Sequence, residues 1–267
     1  MIVDGRAIAE DIYAELEAAC GKVLRQARLG IVVCGDDPVI HSFVRIKERS
    51  ASRLGVEVVR EDVPRSATTD DLIAATKRVA GAAEAVIVQL PLPPHVDTEA
   101  ALRAIPKEKD ADAINPALSE EERLVHAPVA LAILEILRRS NVEIRGKRTV
   151  VVGKGRLVGT PAALLLRRHG THVKVVTRSE GSLDDISDAD IVVLGAGNPG
   201  FVTPQMIKKD AAIIDAGTSE SGGKVVGDAD PACAEKAALF TPVPGGVGPV
   251  AVAMIFKNLC ALAEAAK

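Results

Sequence analysis

Lys47 follows Phe43 by four residues on what reads as one helix face, with Ile40 a turn earlier. A lysine on an otherwise apolar face either snorkels its ammonium to water or is held in a pocket. Gln89 ends the apolar run Ala85–Val88 and precedes Leu90-Pro91-Leu92-Pro93-Pro94. A side chain at the carboxyl end of a parallel strand either lines a ligand cleft or caps the strand. Asp110 and Asp112 lie in Lys109-Asp-Ala-Asp-Ala113, a charged loop whose ordinary state is solvated. Thr241-Pro-Val-Pro-Gly-Gly-Val-Gly-Pro249 carries prolines that stiffen it and glycines that strip it, directly before a helix. Such a loop suits close approach between backbone and ligand.

A second constellation is Val150-Val-Val-Gly-Lys-Gly-Arg-Leu-Val-Gly-Thr-Pro161. The β-branched run Thr149–Val152 reads as a buried strand, and Ala162–Arg168 as the helix that follows. Between them, Gly153, Gly155 and Gly159 let the backbone approach an anion, at which first-turn N–H groups and the helix dipole point. The spacing is G-x-G-x-x-x-G, one residue longer than the commoner dinucleotide fingerprint. A following strand at His172–Arg178 completes a βαβ unit. An NAD site usually ends that strand with an acid for the ribose hydroxyls. Here it ends in Arg178-Ser179, a guanidinium and a hydroxyl suited to a 2′-phosphate, with Lys154 near and Glu180 the one opposing acid. NADP is therefore expected over NAD.

These residues need an alternating frame, and the chain has one. Helices are expected at Arg6–Gln26, Pro38–Leu54, Thr69–Ala83, Asp97–Ile105, Pro128–Arg139 and Pro249–Ala266. Asp37 would cap the second of these and Gly55 would end it. Strands are expected at Leu29–Cys34, Val56–Val63 and Ala85–Gln89, then near Thr149, His172, Asp190, Ala211 and Lys224. Strand–helix alternation means parallel sheets covered on both faces. The fold class is therefore α/β with two domains. The expected boundary lies near Ala117–Arg123, where Ser119-Glu-Glu-Glu-Arg123 reads as a solvated charge run. The first domain is 1–118 plus 249–267, completed by the C-terminal helix, and the second, of Rossmann type, is 119–248.

Composition limits the alternatives. At 267 residues and 48% hydrophobic, the chain can bury sizeable cores. A net charge of −3 and an aromatic content of 2% argue against nucleic acid, for want of both basic stripe and stacking platforms. Met1-Ile-Val-Asp-Gly-Arg6 shows no signal-peptide apolar region and no apolar run approaches bilayer length; neither a signal segment nor a membrane partner is expected. Cys20, Cys34, Cys233 and Cys260 are scattered without C-x-x-C spacing. Free thiols in a reducing cytoplasm are expected, with no metal site.

Taken together, the motifs resemble those of the bifunctional methylenetetrahydrofolate dehydrogenase/cyclohydrolase family, along essentially the whole chain. Val88-Gln-Leu-Pro-Leu-Pro93, Lys109-Asp-Ala-Asp112, Val152-Gly through Leu157-Val-Gly-Thr-Pro161 and Thr241–Pro249 carry the likeness. Gly35-Asp-Asp-Pro38 and Ser42-Phe-Val-Arg-Ile-Lys47 match its first signature. The resemblance implies a folate domain, a nicotinamide domain, an active site in the cleft between them and a homodimer. By matching position it makes Lys47 the catalytic lysine, Gln89 its hydrogen-bonding partner and Asp112 the carboxylate that holds the pterin. Phe43, Leu90, Pro91, Pro244, Gly245 and Gly246 become substrate contacts. Gly153, Lys154, Gly155, Arg156, Val158, Gly159, Arg178, Ser179, Ala196, Gly197 and Thr218 become cofactor contacts. The expected reactions are oxidation of methylenetetrahydrofolate with NADP and hydrolysis of the methenyl product.

The chain also departs from the family pattern. Phe43 replaces a tyrosine. His126-Ala-Pro-Val-Ala130 stands for Pro-Cys-Thr-Pro-x-Gly, Ala113-Ile114 for a Gly-Phe-like pair, and Gly153-Lys-Gly155 for Gly-Arg-Ser. Two other readings follow from these changes. One is a dehydrogenase of another small substrate in a repurposed folate pocket; the other is a non-catalytic binding protein that kept the fold.

Overall fold

The computed structural model describes residues 1–221 and 224–266. The chain divides into two compact units, Ile12–Pro128 with Ile255–Lys267, and Met1–Asp11 with Val129–Met254.

In the first unit, β1 (Arg28–Cys34) is the centre of a parallel sheet, flanked by β2 (Glu57–Val63) and β3 (Ala85–Val88). The helices are α1 (Gly5–Leu24, from Ile12 onward in this unit), α2 (Pro38–Leu54), α3 (Thr69–Ala82) and α4 (Thr98–Arg103). Local chemistry sets their ends. The Asp37 side chain accepts from the Val39 and Ile40 amides at the start of α2, Pro38 is the first helical residue, and Gly55 ends the helix at φ 68°. Thr68 and Asp71 form a reciprocal capping box on α3. Every residue of β3 is buried, as a doubly covered parallel strand requires. Val32, Leu72, Val79, Val86, Leu102 and Ile105 belong to one core cluster. Each such side chain contributes about 1.5–3 kcal/mol on burial.

The second unit carries α5 (Pro128–Arg139) and a five-stranded parallel sheet. Its strands, in the order β10-β7-β6-β4-β5, are β4 (Arg148–Val152), β5 (His172–Val176), β6 (Ile191–Leu194), β7 (Ala212–Asp215) and β10 (Leu239–Phe240). Between β4 and β5 runs α6 (Gly159–Arg168), which starts three residues before the helix read from sequence. The fifth strand expected near Lys224 is not in this sheet. It is β9 (Lys224–Val226), paired antiparallel with β8 (Ser219–Ser221). The sheet's fifth member is β10, too short to announce itself. The chain's first residues lie beside it: Val3 donates to the Phe240 carbonyl, and the Phe240 amide donates to Met1, both at 2.9 Å.

The last helix, α7 (Val247–Ala265), corrects one composition reading. At 19 residues it is long and apolar enough to cross a membrane, although most of it is buried within the protein. Phe256, Leu259 and Leu262 on its second half are core residues.

Candidate active site

Lys47 lies on α2, Gln89 directly follows β3, and Asp112 sits in the loop after the 3-10 turn Lys107–Lys109. The fold joins the first two: Lys47 Nζ donates to Gln89 Oε1 at 2.7 Å. Gln89 is itself fixed, because its amide extends the ladder to the Val32 carbonyl and its Nε2 donates to the Leu90 carbonyl at 2.7 Å. Its amide oxygen therefore faces the lysine. Lys47 is half-buried, so it does not snorkel freely. Burial lowers its pKa, and the Asp112 carboxylate opposes that shift.

The acidic loop is not solvated as expected. Asp110 is buried and accepts the Asn115 amide on Oδ2, while its Oδ1 has no partner among the described residues. Asp112 is half-buried. Burial pushes its carboxyl up to about 6; Lys47 pulls it down and Asp110 adds to the rise. Lys109 anchors the segment by donating to the carbonyls of Ala80 and Ala83, at 2.6 and 2.9 Å, at the end of α3. From α7, the buried Asn258 donates Nδ2 to the carbonyls of Ala111 and His126, each at 2.8 Å. The Ser119–Arg123 run is likewise only partly solvated: Glu120 and Arg123 are half-buried, and Arg123 donates to the Asn115 carbonyl at 3.2 Å.

Phe43, also on α2, is 37% exposed and presents an apolar ring with no hydroxyl. Leu90 and Pro91 follow Gln89 and are joined by a cis peptide. Pro244, Gly245 and Gly246 lie in the second unit, in the loop before α7. Gly245 accepts the Gly5 amide at 2.9 Å.

In the second unit the glycine turn is closed by its own backbone. A Cβ on Gly153 would stand 2.5 Å from the Gly195 carbonyl, and one on Gly159 2.1 Å from the Gly153 carbonyl. A Cβ on Gly155 would meet nothing within 4 Å. The first and third glycines thus let strand, turn and helix close together, while Gly155 leaves open space over the turn. Val158 gives α6 no side-chain cap, so its first amides are not taken by a capping side chain. This cradle fits a dinucleotide phosphate. Arg156 and Val158 belong to the same turn. Arg178 and Ser179 are exposed beyond β5, and Lys154 pairs with Glu180 at 3.4 Å. Ala196 and Gly197 are exposed after β6, and Thr218 is exposed after β7.

Sequence and structure comparisons identify the family and the fold. The model for the tetrahydrofolate dehydrogenase/cyclohydrolase catalytic domain matches residues 3–112, and the model for the NAD(P)-binding domain of the same family matches residues 127–267. The chain belongs to this family. The bifunctional protein FolD of Halothermothrix orenii is 37% identical over 270 aligned residues, covering 96% of this chain and 95% of that protein. The FolD of Heliobacterium modesticaldum is also 37% identical, with 96% and 94% covered. The Trypanosoma brucei methylenetetrahydrofolate dehydrogenase-cyclohydrolase, solved with NADP and an inhibitor, superposes with a TM-score of 0.92 at 36% identity, covering 100% of this chain and 98% of that one.

Sequence reasoning missed several buried polar residues that support the candidate site. Asn258 was visible as an amide in an apolar helix. Tyr13, the chain's one tyrosine, donates to Ser50 Oγ at 2.8 Å, one helical turn past Lys47. Asp215 and Asp228 are both buried, and they accept amides from the segments after β7 and β6 respectively. Burial lifts Asp215 to about 6, against the amides of Ala229 and Gly217 that it accepts. A cavity of about 630 Å³ opens at the amino ends of β4 and β5. Its Lys174 and Arg148 pair with its own Asp185 and Asp188.

Proposed function

We infer that this chain oxidises 5,10-methylenetetrahydrofolate to 5,10-methenyltetrahydrofolate with NADP, and hydrolyses the product to 10-formyltetrahydrofolate. The observation that carries the reading is the contact of Lys47 with Gln89 at 2.7 Å, electrostatically coupled to Asp112. NADP as cofactor is supported by the NAD(P)-binding family match and by the NADP bound to the trypanosome relative.

Asp112 is the group suited to hold the pterin, whose neighbouring ring N–H and exocyclic amine can both donate to one carboxylate. NADP, when bound, supplies the acceptor for the hydride of the folate methylene. No side chain has to exchange a proton in that step, so the protein's task is alignment. Hydrolysis asks more of Lys47. Water bonds to the methenyl carbon and gives a proton to the neutral amine. The bond from that carbon to N5 then breaks as N5 takes this proton back, and the hydroxyl on the carbon releases its own proton to solvent to become the formyl carbonyl. Burial, by lowering the lysine pKa, makes the neutral amine accessible nearer neutrality. Gln89 cannot ionise, so it orients the amine without trapping it as an ion pair. The proposed substrate contacts also include Phe43, Leu90, Pro91 and Pro244–Gly246. The proposed cofactor contacts are the 153–159 turn with Arg178, Ser179, Ala196, Gly197 and Thr218.

A homodimer is proposed from family resemblance, with sedimentation as the test. All four cysteines are buried free thiols, which supports a reducing, cytoplasmic setting.

Optical measurement of methenyl formation from methylenetetrahydrofolate and NADP tests the overall reading, and Lys47→Met tests the roles. Methionine keeps most of the stem's packing and removes the ammonium. Cyclohydrolase activity should fall at least about a hundredfold, the lower bound for a lost acid–base group, while methylene oxidation stays measurable. Equal loss of both steps in a folded mutant would make Lys47 a substrate-positioning group. Loss of neither would remove it from the site.

A further inference from the structure

Asp228 is 0% exposed. Its carboxylate accepts three backbone amides in succession: Ala196 at 2.6 Å and Gly197 at 3.1 Å on Oδ2, and Asn198 at 2.7 Å on Oδ1. A buried carboxylate is tolerable only when hydrogen-bonded in this way. The three donors belong to the exposed turn that leaves the carboxyl end of β6, where an open parallel sheet binds its ligands. The fit around the carboxylate is close. A Cβ on Gly217 would stand 2.5 Å from Asp228 Cγ. The next residue, Ala229, is held by its amide to Asp215 Oδ2 at 2.8 Å. The Gly217 amide donates to Asp215 Oδ1 at 2.9 Å, so Asp215 ties the two segments that flank Asp228.

These amides are therefore spent inside the protein. The 195–198 turn keeps only its carbonyls and small side chains for a ligand. The 153–159 turn differs: its Gly153 amide goes to the Val176 carbonyl at 2.8 Å, but Gly155 is open and α6 begins without a side-chain cap. We propose that Asp228 is the positioning residue of the dinucleotide site. It fixes the 195–198 turn before any ligand arrives and leaves recognition of phosphate to the 153–159 turn. This deepens the dehydrogenase reading and rests on it.

Amide exchange on the unaltered protein tests the proposal first. Without NADP, the amides of Ala196, Gly197 and Asn198 should already be protected. Saturation with NADP should add protection in the 153–160 segment and little at 196–198. Asp228→Asn, close to isosteric, should lose protection at 196–198 and raise the KM and Kd for NADP about tenfold, the scale of a lost hydrogen bond to a charged group. Its kcat should change less. Gly217→Ala, which crowds the carboxylate without removing it, should shift the same constants in the same direction. Hydrolysis of methenyltetrahydrofolate uses no dinucleotide, and Lys47, Gln89 and Asp112, which are proposed to serve it, lie in the other unit. If the 196–198 amides exchange freely in the unaltered protein and are protected only by NADP, the proposal fails. It also fails if Asp228→Asn frees them with the NADP constants unmoved, or if hydrolysis falls in step with NADP binding. An unaltered protein that binds no NADP would instead overturn the dehydrogenase reading.

Discussion

Asp112 combines a charge with an environment that resists it. Burial raises its carboxyl to about 6, and Asp110 adds to the rise against the pull of Lys47. The sign of the pH effect follows. A folded value above the unfolded one contributes stability fully below about pH 4, and that contribution is lost as pH rises through about 6. Binding runs the other way, because pterin recognition needs the ionised carboxylate. The kcat/KM for methylenetetrahydrofolate should therefore fall on the acid side of about pH 6. Asp112→Asn should lower its plateau and remove that limb. A limb that persists in the mutant would belong to another group. Phe43 makes a second, smaller statement at this scale. Packing survives exchange of tyrosine for phenylalanine, whereas a hydroxyl that positions water or Lys47 does not, at a cost of about 0.5–1.5 kcal/mol. Phe43→Tyr should raise the cyclohydrolase rate relative to the dehydrogenase rate. An unchanged ratio would show that this site lacks nothing a hydroxyl supplies.

Among the elements, legibility followed the range of the interactions. Asp37, Pro38, Gly55 and the glycine turn act within a few residues, so α2 and the βαβ unit could be read from sequence. A β-branched triplet says nothing about its partner, so the strand near Lys224 reads as part of the parallel sheet although it pairs with β8. β10, with two residues, carries no periodicity at all. The Lys47–Gln89 pair could be placed only through family resemblance, since 42 residues separate its members. The acidic loop reads as solvated until distant segments cover it, among them Val86, which bridges Asp110, and Asn258. Ala113, where the family pattern has glycine, is held at φ 54°, a region glycine occupies more cheaply. Asn258 is the element-scale test of this loop. Asn258→Ala removes both donors and orphans two carbonyls, which should destabilise the protein by on the order of 1–3 kcal/mol. Because one of those carbonyls is Ala111, next to Asp112, the folate KM should rise while the KM for NADP stays nearly constant. Equal rises in both would make Asn258 a general stability residue.

For the whole molecule the relevant fact is that each unit has its own core. One cluster centres on β1, β3 and α3, and the other on β4, β6 and β7. Each has the makings of a cooperative unit, although α1 and α7 each contribute residues to both. The proposed NADP groups all fall within Val129–Met254. A ligand that binds only the folded form of one unit stabilises that unit by mass action, by about 2.7 kcal/mol at a free concentration a hundred times Kd. Amide exchange under conditions where the slowest amides report global opening should separate the two cases. At saturating NADP, the slowest amides of β4, β6 and β7 should slow by about a hundredfold, matching that free energy. Those of β1 and β3 should keep their rates. Equal slowing in both sheets would mean that the units open together, with the nucleotide stabilising the folate unit as strongly as the sheet that binds it.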